Sequence, residues 1–328
     1  MGRILGLAVL SAVVFGVGAA FPDAAHSQDK MYWMQTLGGK IQRANRNGTD
    51  VEDLVTSGLG SASGIAVDVQ GGKMYWTDAG FGWIRRANLD GSNVEDLITS
   101  GLVTPMGIAL DLVAGKMYWT DTGTDRIQRA DLSGASVENL VVSGLSQADW
   151  IALDPMGGKM YWTDAGNGAI RRADLDGSDV EDLVTTGLVD PRGIGLDVGD
   201  GRMYWADRGA DRIQRANLDG SDVQNVVTTG LDRPTGLAVD PIVNWIYWTM
   251  AGSPQIQRAR KDGSGVDPLV AAQNGPGGIS LGEFIQPPPG TLPALTGPGA
   301  LLLCLVLAGS AFLFASRANA DRSGRKSG

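Results

Sequence analysis

Gly107-Ile108-Ala109-Leu110-Asp111, Lys116-Met117-Tyr118-Trp119-Thr120-Asp121, Arg126-Ile127-Gln128-Arg129-Ala130-Asp131 and Val137 to Val142 are four short runs in a row, and they decide the fold. Each has strand length and is bounded by glycine-rich or Asp-Gly turns, the latter as at Asp90-Gly91 and Asp176-Gly177 in neighbouring copies. No stretch of the unit sustains a helical period. The unit also recurs. Tyr-Trp stands at 32–33, 75–76, 118–119, 161–162, 204–205 and 247–248, always 43 residues apart, and takes up all 6 tyrosines of the chain. A second series, Ile41, Ile84, Ile127, Ile170, Ile213 and Ile256, keeps the same period, each followed by x-Arg-Ala.

A unit of this size cannot bury both faces of its own sheet, but six stacked in a ring can. The expected fold is therefore all-β: a six-bladed β-propeller over residues 30–285, four antiparallel strands per blade. The ends of the array refine this. The chain enters at Met31-Tyr32-Trp33, on a second strand with no first strand before it. An orphan first strand, Gly278-Ile279-Ser280-Leu281-Gly282, follows the last copy. It is expected to cross over, complete the first blade and close the ring.

Thr77-Asp78, Thr120-Asp121 and Thr163-Asp164, each directly after Tyr-Trp, resemble the YWTD (class B) repeat of the low-density lipoprotein receptor family. The resemblance spans about residues 30–285 and implies a six-bladed propeller with a binding habit. Gln35 and Met250 replace the aspartate in the first and last copies, and Ala206 replaces the threonine in the fifth. The cysteine-rich modules of the animal receptors are absent from this sequence, so their lipoprotein role is not carried over.

Composition narrows the chemistry. Of 328 residues 48 are glycine, and the chain holds 1 histidine (His26) and 1 cysteine (Cys304). That excludes a His/Cys zinc site, a Cys–His nucleophile pair and a disulfide framework. The net charge is −9, and −11 over residues 30–285. No nucleic-acid partner is expected, and a cationic or polyhydroxylated ligand is mildly favoured.

Both ends are apolar. Residues 1–27 read as a secretory signal, with Arg3 ahead of the run Ile4 to Ala20 and small residues near Ala20 and Ser27. At the other end, a Pro/Gly linker (286–298) leads to an apolar transmembrane or sorting helix (299–316) and a basic cytoplasmic tail (317–328) with Arg317, Arg322, Arg325 and Lys326. Leu292-Pro293-Ala294-Leu295 resembles the motif of a bacterial IPTL-type C-terminal sorting tail. The expected location is the cell envelope or surface, the protein being either anchored by a single pass or released after tail cleavage. A cysteine-free exported domain fits a bacterial cell.

The repeated residues are expected to be architecture. Tyr and Trp on adjacent strand positions point to opposite faces and fill the gaps between blades. Asp78, Asp121, Asp164 and Asp207 are expected to pair with Arg86, Arg129, Arg172 and Arg215. Asp174 to Asp179 has the look of a calcium loop, but a hairpin turn explains all copies. The inner-strand aspartates Asp68, Asp111, Asp154, Asp197 and Asp240 either ring a central cation or cap turns. No cofactor is expected; a structural calcium is the one exception weighed.

Function should sit where the copies differ: the turns from second to third strand, and the connections into the next blade. Both emerge on one face. The ligand-binding candidates there are Phe81, Trp83, Met106, Trp150, Arg192, Arg208 and Arg233. Trp150 replaces a glycine found in four other copies, which places its ring near the channel mouth. The expected function is a non-enzymatic, monomeric, exported and membrane-anchored module that binds a protein, peptide or glycan. The alternative is a calcium-dependent hydrolase, lactonase or lyase with its site in the channel.

Overall fold

The computed structural model describes residues 30–271 and 274–282. The signal segment (1–27), the linker (286–298), the apolar segment (299–316) and the basic tail (317–328) lie outside them. No helix among the described residues is long and apolar enough to cross a membrane.

The described residues form six four-stranded antiparallel sheets. The third blade shows the unit: inner strand Pro105–Asp111, second strand Lys116–Asp121, third strand Arg126–Asp131, outer strand Glu138–Val141. The expected clasp is present. Pro276–Leu281 pairs with Lys30–Gln35, setting Ile279 opposite Trp33, and the first blade is thus built from both ends of the ring.

The strands alternate faces, so Tyr and Trp serve different neighbours. Each gap between blades is filled by the tyrosine of one blade and the tryptophan of the next: Tyr32 with Trp76, Tyr118 with Trp162, Tyr204 with Trp248, and Tyr247 with Trp33 across the closure. The six tryptophans of the Tyr-Trp pairs are fully buried. Each contributes about 2–3 kcal/mol.

The arginines supply a second, polar ring. Arg43 donates to the Leu89 carbonyl of the next blade, Arg86 to Leu132, Arg129 to Leu175, Arg172 to Leu218 and Arg215 to Lys261. Arg258 closes the circle on the Arg46 carbonyl. Their acidic partners are on the outer strand of the same blade: Glu95 for Arg86 at 2.8 Å, Glu138 for Arg129 at 2.8 Å, Glu181 for Arg172. This corrects the expected pairing with the YWTD aspartates. The register sets Arg86 opposite Tyr75 and Arg129 opposite Tyr118, whereas the aspartate lies three residues on, at the far end of its strand.

There the aspartate holds the incoming connection. Asp78 accepts the Gly60 and Ser61 amides, Asp121 those of Val103 and Thr104, Asp207 those of Val189 and Asp190. Where such an aspartate does meet an arginine, the partner is Arg171 for Asp164, at 3.3 Å, and Arg212 for Asp207, at 2.9 Å.

The Asp-Gly turns are hairpin turns. Asp176 accepts the amide and hydroxyl of Ser178, and Asp90 those of Ser92. Gly91 and Gly177 have φ of 83° and 88°, and a Cβ on either would overlap a carbonyl of the preceding blade, Leu54 or Leu140. The inner-strand aspartates also cap turns. Asp68 accepts the Gly71 amide, Asp111 those of Val113 and Ala114, Asp154 that of Gly157.

Candidate functional site

The YWTD threonine builds the loop face. Thr77 accepts the Gly64 amide and donates to the Met106 carbonyl of the next blade. Thr120 accepts from Gly107 and donates to Asp149; Thr249 accepts from Gly236 and donates to Gly277. Each inner strand is bulged here. The register slips between Ala62 and Ile65, Pro105 and Ile108, Ala148 and Ile151, Pro191 and Ile194, and Pro234 and Leu237. A bulge inserts residues that the ladder does not fix and re-aims them. The copies differ at this point: Ser63, Met106, Asp149, Arg192, Thr235 and Gly277.

Trp150 is the largest departure. Its counterparts, Gly64, Gly107, Gly193, Gly236 and Gly278, line a cavity or press on the next inner strand. The indole stands at the mouth of the channel, over a cavity of about 60 Å³. Its Nε1 donates to the Thr235 carbonyl at 3.2 Å, reaching from the fourth blade to the sixth. By the pattern of the other copies, that carbonyl belongs to the threonine that Ala206 replaces. The two departures from the repeat therefore compensate each other. The sequence reading puts this ring near the channel mouth, as a ligand-binding candidate. The residue is 7% exposed and acts as a plug, not as an open anchor.

Beside it is a partly buried ion ladder. Arg192 binds Asp149 through Nη1 and approaches Asp190 with Nε at 2.8 Å; Arg208 reaches the other side of Asp190 at 3.4 Å. Asp149 is 2% exposed, and its Oδ1 has no hydrogen-bond partner among the described residues. Burial pushes the Asp149 carboxyl above its ordinary range, and Arg192 pulls it part of the way back. For Arg192 burial acts to lower the pKa, but Asp149 and Asp190 outweigh it, and the guanidinium is held charged.

The second cluster is on the rim of the second blade. Phe81 and Trp83 stack with centroids 4.9 Å apart, and Arg85 lies 5.6 Å from the Trp83 ring. Phe81 is 48% exposed. Met106 sits between second and third blades, its sulfur 3.6 Å from the Ser63 hydroxyl. Arg233 is an exposed rim residue, 3.9 Å from Asp232, with its amide on Asp211.

The structure thus gathers Trp150, Arg192 and Arg208 at the mouth, and Phe81 with Trp83 at the rim. The ligand-binding candidates do not include Asp149 or the Thr235 carbonyl. Their signal was the residue just before the inner-strand glycine, where six copies carry six different residues. Among the described residues, no group of three or more His, Cys, Asp and Glu is arranged to hold a metal ion.

The model of the low-density lipoprotein receptor repeat class B matches residues 72–112, 115–155, 158–198 and 201–241. Among solved structures, a chain of the nidogen/laminin complex superimposes with a TM-score of 0.71 at 26% identity, covering 78% of this chain and 99% of that one. A streptogramin B lyase gives 0.60 at 20% identity, covering 76% and 83%. The virginiamycin B lyase of Staphylococcus aureus gives 0.58 at 16%, covering 78% and 89%. The last two share the fold. No curated protein matches the sequence.

Proposed function

Because the chain belongs to the low-density lipoprotein receptor class B repeat family, we propose that it is an exported, membrane-anchored binding module that captures a protein or peptide on its loop face. One observation carries the reading: the uniform residues of the repeat are consumed in joining blades, while Phe81, Trp83, Trp150, Arg192 and Arg208, which differ from their counterparts in other copies, collect on the loop face. Phe81 and Trp83 offer a rigid apolar platform with a guanidinium beside it, the composition of an interface anchor. The matched structure at 26% identity is itself part of a complex between two proteins, which supports a protein ligand over a small substrate. The partly exposed Arg192, Asp190 and Arg208 supply the polar part of the surface.

The test is selection of binders from a random peptide display library on the purified full chain. Phe81→Ala with Trp83→Ala should abolish capture of the enriched peptides while shifting Tm by less than about 2 °C, since both side chains are partly solvent-exposed. Leu37→Ala, exposed at a turn of the first blade, is the control. Undiminished capture by the double variant would refute the assignment.

A further inference from the structure

The face opposite the loops carries the Asp-Gly turns, the turns from inner to second strand, and both ends of the described ring. It is also the more apolar face. Of the large hydrophobic side chains exposed among the described residues, eleven lie on it and five on the loop face.

One sector of that face breaks the repeat. In the second to fifth blades the second strand opens with Lys73, Lys116, Lys159 or Arg202, set opposite Asn88, Asp131, Asp174 or Asn217. In the sixth blade the same pair is Trp245 opposite Arg260. The Arg258 guanidinium lies 4.3 Å from the Trp245 ring and that of Arg260 5.6 Å. Arg258 leans on Asp267 at 3.6 Å; Arg260 is exposed and has no ion pair among the described residues. The turn just before Trp245 holds Ile242 and Val243, 71% and 45% exposed. The Trp245 amide donates to the Val243 carbonyl at 2.8 Å, which ties the turn to the strand that carries the ring.

This sector borders the point where the chain leaves the ring. Arg46 of the first blade binds Asp240 and donates to the Gly282 carbonyl at 2.7 Å, and the Gly282 amide donates to Lys30 at 2.9 Å. The first and last described residues of the propeller are thus adjacent, one blade from Trp245.

Two aliphatic tips, an indole and an unpaired guanidinium make up the side-chain set of a bilayer interface: aliphatic groups in the acyl boundary, tryptophan at headgroup level, arginine on phosphate. We propose that the Ile242–Val243–Trp245–Arg260 sector rests on a lipid surface and orients the ring, loop face outward. The inference rests on the anchored reading. Sixteen residues, 283–298, separate the ring from the apolar segment; a chain of that length reaches at most roughly 55 Å even fully extended, so on the anchored reading the ring stays within that distance of the lipid.

The experiment uses the full chain in vesicles of phosphatidylcholine and phosphatidylglycerol, with Cys304→Ser and a single cysteine carrying an environment-sensitive fluorophore at Ile242→Cys or at Leu37→Cys. Flotation reads the anchor; quenching by nitroxide-labelled lipid reads the contact. Flotation with at least threefold stronger quenching at 242 than at 37, reduced by Arg260→Glu without loss of flotation, supports the proposal. Flotation with equal quenching overturns the contact and leaves the anchor standing. Failure to float overturns both. A blue shift at 242 that grows with protein concentration in the absence of vesicles indicates a contact between copies and overturns the lipid assignment.

Discussion

Trp150→Phe should cost about 1–3 kcal/mol, and Ala206→Thr should return about 1 kcal/mol of it. The indole Nε1 is the donor that satisfies the Thr235 carbonyl at 3.2 Å. A phenyl ring fills much of the same space but leaves that carbonyl without this donor, and a buried orphan acceptor costs about 1–3 kcal/mol. In the equivalent places Thr120 and Thr249 donate to the Asp149 and Gly277 carbonyls at 2.6 and 2.7 Å. A threonine at 206 is placed to do the same for Thr235, and a restored hydrogen bond contributes about 1 kcal/mol. In the wild-type background the carbonyl is already engaged, so Ala206→Thr should gain less there. The measurement is a double-mutant cycle by urea unfolding, with Tm as a parallel readout at about 2–4 °C per kcal/mol for a domain of this size. A coupling near 1 kcal/mol is expected. Additivity within about 0.3 kcal/mol would refute the compensation between the two departures.

Other expectations follow from the same geometry. Ile279→Asp puts a carboxylate into the core shared with Trp33 and Tyr247, and should destabilise by more than about 3 kcal/mol; limited proteolysis should then cut first within residues 30–45, and a uniform cleavage pattern would contradict the clasp. Gly193→Ala should cost more than Gly101→Ala, because the new Cβ overlaps the Thr235 carbonyl, whereas at Gly101 the space is open and the cost of φ 80° is about 1 kcal/mol; equal costs in urea unfolding would overturn the close-approach argument. Hydrogen bonds from Arg43, Arg86 and Arg129 hold Glu52, Glu95 and Glu138 below the ordinary carboxylate range. Their contribution is full above the unfolded pKa of about 4.3 and is lost as pH falls through the folded values, so Tm should rise from pH 3 to 5. Asp149 is shifted the other way by burial, so its contribution is lost as pH rises. Asp149→Asn should steepen the rise; a shallower slope would show that the carboxyl is not desolvated.

Much of this was legible in the residues because a propeller repeats its contacts. The 43-residue period, the strand lengths and the orphan strand at 278–282 determined the six blades and the clasp, since only a closed ring gives every copy the same two neighbours. The alternation of Tyr and Trp determined which side chains fill the gaps between blades. Comparing copies also picked out the residues that depart from the repeat on the loop face, because copies on one scaffold otherwise share their contacts; Trp150 and Ala206 show that such a departure can be structural.

Tertiary structure alone decided which groups meet across blades. Arg86 was assigned to Asp78 by proximity in sequence, yet the register takes the guanidinium to Glu95 and to a carbonyl 46 residues away. Trp150 reads as an exposed anchor until the bulge turns it over the channel and onto a carbonyl 85 residues on. A strand period sets only the face a side chain takes. How far it reaches, and whether water still touches it, depends on the curvature of the ring and on which neighbour lost its own donor, and for Trp150 that neighbour is Ala206.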